Sequence, residues 1–119
     1  MSVEIVSGEE YTVTYNDSTE SLTFDGSMRL RTSEEYEPIN ELMQQALSST
    51  PEGNLLTMDF SSLKFLNSSG INIISRFVIA ARKQGTVPLK VVGNQDIYWQ
   101  QKSLTNLQRL WSSVQIEIQ

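Results

Sequence analysis

Between residues 55 and 92, two short apolar runs bracket a strongly amphipathic helix, and that order constrains the fold more than anything else in the chain. The run 55–58 has the length of a buried strand and is flanked by Pro51 and Gly53. Downstream, Ile71, Ile74, Val78 and Ala81 fall on one helical line, with Ile73, Phe77 and Ala80 on the adjacent one. So wide a stripe predicts a deeply buried helix. Lys83 and Gly85 give it a basic last turn and a stop. The run 89–92, with Pro88 at its entrance, predicts the next strand. A strand, a helix and a strand in this span make a crossover between parallel strands.

The flanking segments fit the same scheme. Residues 11–15 and 21–24 alternate and are rich in β-branched and aromatic side chains, so they predict two strands. Asn16, Asp17 and Ser18 between them are turn formers, which makes the pair a hairpin. Thr32 or Ser33 caps a helix whose inner face is Tyr36, Ile39, Met43, Ala46 and Leu47. Residues 59–67 read as a loop. A looser helical pattern covers about 96–110, and Val114, Ile116 and Ile118 alternate as a short edge strand. The expected order is ββαβαβαβ: an α/β fold with a small mixed sheet and about three helices, in one domain over residues 1–119 with its core at about 9–119.

Composition removes several function classes. The 119 residues include no Cys and no His. That excludes disulfides, thiolate nucleophiles, Cys zinc sites and serine hydrolysis with a His base. Residues 1–10 lack the apolar core of a signal peptide, and no apolar run approaches the ~20 residues that span a bilayer. A cytoplasmic chain without membrane contact is expected. The net charge of −5 argues against nucleic acid as a partner. The charge is uneven. Residues 1–60 carry twelve acids and two bases, whereas residues 61–119 carry two acids and seven bases. Either helix surfaces simply differ, or a polarised surface steers a partner.

Leu63, Lys64, Phe65, Leu66, Asn67, Ser68, Ser69, Gly70 and Ile71 follow the strand at 55–58 with its Asp59, and they lead into the strongest helix. This passage resembles the signature of the STAS family, to which anti-sigma-factor antagonists and the cytoplasmic domains of sulfate transporters belong. The family pattern is an apolar strand ending near Asp, a loop, then a segment like Phe-Leu-Asp-Ser-Ser-Gly-Leu at a helix start. The element order agrees over roughly 9–119. The resemblance implies a bacterial regulatory protein that binds a protein partner and is no enzyme. In antagonists of this type, an anti-sigma factor that is also a serine kinase phosphorylates the first Ser of the pair, and a phosphatase reverses it. The matching position is Ser68, with Ser69 as the runner-up. Two positions depart from the pattern: Asn67 stands where the family has Asp, and Arg29 stands where an acid usually follows the second strand.

Each feature also has a purely structural reading. Ser68 or Ser69 would serve as a helix cap, Ser69 the more naturally of the two. Gly70 either packs the loop on the sheet or clears space around the serine. Asp59 is expected to bind backbone N–H groups of the following loop. The acids Glu34, Glu35, Glu37 and Glu41 read as a solvated, dipole-compensating helix start. Met28, Phe65 and Leu66 are core plugs or contact anchors for a partner. Trp111 continues a helical stripe and should be buried, while Trp99 falls among polar residues and is the better interface residue. The expected partner surface is thus Met28, Phe65, Leu66, Asn67, Ser68, Ser69, Gly70 and Trp99. No Gly-rich phosphate loop is present, and no metal or cofactor is expected. The alternatives are a module that senses a small ligand or nucleotide at the helix N-terminus, and an adaptor without phosphorylation. A monomer or weak dimer is expected.

Overall fold

Three antiparallel strands open the chain in the computed structural model, which describes residues 3–119. They are β1 (Val3–Ser7), β2 (Tyr11–Asn16) and β3 (Ser21–Met28). The strands β4 (Leu56–Leu66), β5 (Leu89–Gly93) and β6 (Gln115–Ile118) continue the sheet parallel to β3. The crossovers are α1 (Ser33–Ser49), α2 (Ser68–Gln84), and the pair α3 (Tyr98–Thr105) and α4 (Leu107–Leu110). Spatial strand order equals sequence order, β1 to β6. Each crossover therefore steps one strand in the same direction, and right-handed steps of that kind leave every helix on one face.

The side-chain alternation follows from this two-layer plan. Val13, Tyr15, Leu22, Phe24, Leu56, Met58, Leu89 and Val91 point at the helices and are buried. Their neighbours Thr12, Thr14, Thr23 and Thr57 face the open side and are half-buried. Against the inner face pack Tyr36, Ile39, Met43 and Ala46 of α1, and Ile73, Phe77, Val78 and Ala81 of α2. Phe24 and Phe60 stack with centroids 4.4 Å apart at the centre of the sheet. Thr32 caps α1, accepting from the Glu35 amide at 3.2 Å, and Gly85 ends α2 in the left-handed region at φ 72°.

Three expectations change. The chain has one more strand, β1, ahead of the predicted hairpin. Residues 59–66 are the second half of β4 and not a loop. They pair with β3 through two register shifts, so the buried residues recur as Phe60, Leu63 and Leu66, every third position instead of every second. The C-terminal helix is broken into α3 and α4 at Asn106.

The overhang of β4 has a consequence for the site. β5 pairs only with residues Leu56 to Asp59 of β4, which leaves later carbonyls of β4 without a neighbouring strand on that side. Side chains replace the strand. Gln100, fully buried, donates from Nε2 to the Phe60 and Leu63 carbonyls at 2.5 and 2.9 Å and accepts the Asn94 amide at 2.7 Å. Trp99 Nε1 donates to the Leu63 carbonyl at 3.0 Å, and Asn94 Nδ2 reaches the Ser61 carbonyl at 3.3 Å. Asp59 takes the Ser61 amide and hydroxyl at 2.9 and 2.6 Å, the backbone role expected for it.

Candidate partner-binding site at the start of the second crossover helix

The site begins with Asn67, which joins three elements. Its Oδ1 accepts the Gly70 amide at 2.9 Å and so caps α2. The same oxygen accepts the Tyr36 hydroxyl of α1 at 2.6 Å. Its Nδ2 donates to the Leu30 carbonyl, in the β3–α1 connection, at 2.7 Å. The backbone amide adds a bond to the Met28 carbonyl at 3.2 Å. An amide side chain is required here, because both an acceptor and a donor are used. That gives the departure from Asp at this position a physical reason: a carboxylate would set a second oxygen against the Leu30 carbonyl. Tyr36 is buried, and burial raises its hydroxyl above the ordinary value of 10.0, so it stays protonated to donate to Asn67.

Asn67 also corrects the expected cap. Neither Ser68 nor Ser69 caps α2; both lie in its first turn, and among the described residues their hydroxyls have no hydrogen-bond partner. Ser68 is exposed, Ser69 half-buried and Gly70 buried. Gly70 has the packing role: a Cβ there would overlap the Leu66 side chain and sit 2.8 Å from the Tyr36 hydroxyl. The first-turn amides of a helix have no intrahelical acceptor, so Ser68 stands at the positive end of the α2 dipole.

The other expected partner residues divide by burial. Met28 and Leu66 are 1% and 5% exposed and belong to the core, as plugs at the ends of β3 and β4. Phe65 is 40% exposed, with the Arg29 guanidinium 4.9 Å above its ring. Arg29 in turn pairs with Glu10 at 3.2 Å. Trp99 is half-buried, edge-on to Phe60 and bonded to β4, so much of its surface is spent inside the protein. Trp111 is half-buried against the core. Sequence reasoning missed Tyr98, which is 98% exposed beside Trp99. The sequence carried no signal for it, because the residue whose burial turns Tyr98 outward is Gln100, a polar side chain that pattern alone does not place in a core. Glu34, Glu35, Glu37 and Glu41 lie in the first half of α1, and Asp59 lies in β4. Among the described residues, no three acids are placed to hold a cation, and no helix is long and apolar enough to cross a membrane.

No protein-family model matches this sequence, and no curated protein matches it in sequence. Solved structures do match its fold. SiaC of Pseudomonas aeruginosa superposes with a TM-score of 0.71 at 17% identity, covering 100% of this chain and 98% of that one. Apo-SiaC from the same organism gives a TM-score of 0.73 at 18% identity, covering 100% of this chain and 99% of that one. A chain in the crystal structure of the diguanylate cyclase SiaD in complex with its activator SiaC, again from Pseudomonas aeruginosa, gives 0.71 at 15% identity over 98% of this chain and 99% of that one. At this identity the likeness is one of fold: the protein has the mixed α/β architecture of SiaC from end to end.

Proposed function

We propose that this protein is a STAS-like regulatory module without catalytic activity, which binds a protein partner at the start of α2 and is switched by phosphorylation of Ser68. The observation that carries the reading is the exposed Ser68 whose hydroxyl has no structural task, because Asn67 performs the capping. The likeness to SiaC, described as the activator of a diguanylate cyclase, supports a regulatory role exercised through a protein partner. The partner here is a bacterial signalling protein of that kind or an anti-sigma-type serine kinase, with a phosphatase to reset the switch in the cytoplasm.

The chemistry of the switch follows from the site. A phosphate adds about −1.5 to −2 charges. At the first turn of α2 it meets the positive end of the helix dipole, so the domain remains folded. The added charge acts on the partner, through desolvation and repulsion at the docking face. Phe65, at the end of β4, and Tyr98, at the start of α3 after β5, are exposed aromatic side chains that follow neighbouring parallel strands, and they anchor that partner together with Ser69 and Trp99. Asn67, Gly70, Met28 and Leu66 hold Ser68 in place from beneath.

The test is affinity capture with wild-type, Ser68→Ala and Ser68→Asp proteins from the host. The reading expects wild type and Ser68→Ala to retain one shared partner that Ser68→Asp loses. Equal capture by all three would overturn it.

A further inference from the structure

The sheet ends on one side in β1, whose outer edge pairs with no described residue. Edge strands are usually protected by Pro, Lys, bulges or a covering element. β1 has no Pro, Lys or bulge and pairs regularly with β2 from Val3 to Ser7; its one protection is the inward-facing charge of Glu4, which disfavours an apolar or acidic strand and admits a basic one, and Val3 and Ile5 are 56% and 61% exposed on the open face. On its other face, a groove of about 410 Å³ separates it from α1, lined by Glu4, Val6, Pro38, Glu41, Leu42 and Gln45. One carboxylate oxygen of Glu4, Oε2, is shut off from solvent there without a hydrogen-bond partner. Glu4 as a whole is half-buried, as is Glu20, whose Oε2 is enclosed in the same way, and an enclosed acceptor of this kind gains from a donor that a partner supplies. α1 carries four Glu and no Lys or Arg, and among the described residues neither Glu4 nor Glu41 forms an ion pair.

We infer that the β1 edge and this groove accept an extended basic segment of another protein by strand addition, with a Lys or Arg of that segment placed on Glu4 and Glu41. In an added strand the residue opposite Glu4 points toward α1, and its charge falls on the orphaned oxygen. The free N–H and C=O groups of β1 supply the main-chain bonds, and Val6 and Leu42 supply the apolar wall. A second copy of the chain fits less well, because antiparallel pairing of two β1 strands about Ile5 brings two acidic grooves together. The inference does not involve Ser68 and stands apart from the phosphoswitch.

The probe is the peptide acetyl-Thr-Val-Lys-Val-Lys-Val-Thr-amide, titrated into the isotope-labelled full chain and followed by amide NMR shifts. The expected result is saturable binding, with shifts confined to β1 and to α1 between Ile39 and Gln45. Replacing both Lys of the peptide by Glu should abolish it, and N-methylating alternate peptide residues, which blocks strand pairing, should weaken it at least tenfold. In the protein, Glu4→Gln combined with Glu41→Gln should also weaken it at least tenfold while leaving thermal stability equal or higher, since an orphaned carboxylate is removed. Binding indifferent to N-methylation or to the double variant would overturn the inference, as would shifts elsewhere on the protein. A concentration-dependent dimer in sedimentation velocity that protects the β1 amides from exchange would also overturn it, in favour of the second copy.

Discussion

Replacing Asn67 with Ala should cost more than any other single change at the start of α2. The variant loses the helix cap, worth about 1 kcal/mol. It leaves the buried Tyr36 hydroxyl without its acceptor, at about 1–3 kcal/mol. It also strips the Leu30 carbonyl of its donor. Together these give a loss of about 3 kcal/mol, or about 10 °C in Tm for a domain of this size. Urea denaturation followed by the fluorescence of Trp99 and Trp111 measures it directly. A double-mutant cycle with Tyr36→Phe sharpens the test. Alone, Tyr36→Phe breaks the 2.6 Å bond to Asn67 and should destabilise. In the Asn67→Ala background the same change removes an orphaned hydroxyl and should be neutral or stabilising. A loss below about 1 kcal/mol for Asn67→Ala, or additive effects in the cycle, would refute the view of Asn67 as the tie between α1, α2 and the β3–α1 connection.

Further consequences can be checked in parallel. Gly70→Ala should destabilise by about 1–2 kcal/mol despite better helix propensity, because the new methyl meets Leu66 and the Tyr36 hydroxyl; thermal melting reads this out. Gln100→Leu should lose about 3 kcal/mol by chemical denaturation, since in a fully buried place it removes the side-chain partner of the Phe60 carbonyl and of the Asn94 amide and leaves the Leu63 carbonyl with Trp99 alone. Burial raises the hydroxyls of Tyr15 and Tyr36 above 10.0. The unfolded chain therefore gives up these protons first as pH climbs, so the stability they contribute is complete below pH 10 and is lost above it. Denaturation midpoints between pH 9 and 11.5 should fall, and should fall less steeply in Tyr36→Phe.

What could be read from the sequence was what local pattern controls. The stripes of α1 and α2 and the alternation in β2 and β3 need only their own residues to be recognised, and they placed Ser68 at a helix start. What escaped depends on distant partners. In β1 the apolar Val3 and Ile5 face outward while Glu4 and Val6 face the helices, so its pattern is not that of a half-buried strand and only pairing with β2 reveals it. The bulged half of β4 buries every third residue and imitates a loop. Ser68 and Ser69 looked like caps because Ser is a good cap, yet Asn67 is equally good and also bonds to Tyr36 and Leu30, residues 31 and 37 positions away. Trp99 looked free because its neighbours are polar, but Gln100 is polar and buried, and both side chains complete the open edge of β4.

These relations give Ser68 a defined setting: fixed from below by Asn67, unused by the fold, and open to solvent. The measurement that tests this most directly compares the chain carrying phosphoserine at position 68, made by semisynthesis, with the unmodified chain in calorimetric titration against the captured partner. The account predicts at least a tenfold loss of affinity, with circular dichroism and thermal stability preserved. Equal affinity for the two forms, or unfolding on modification, would contradict it.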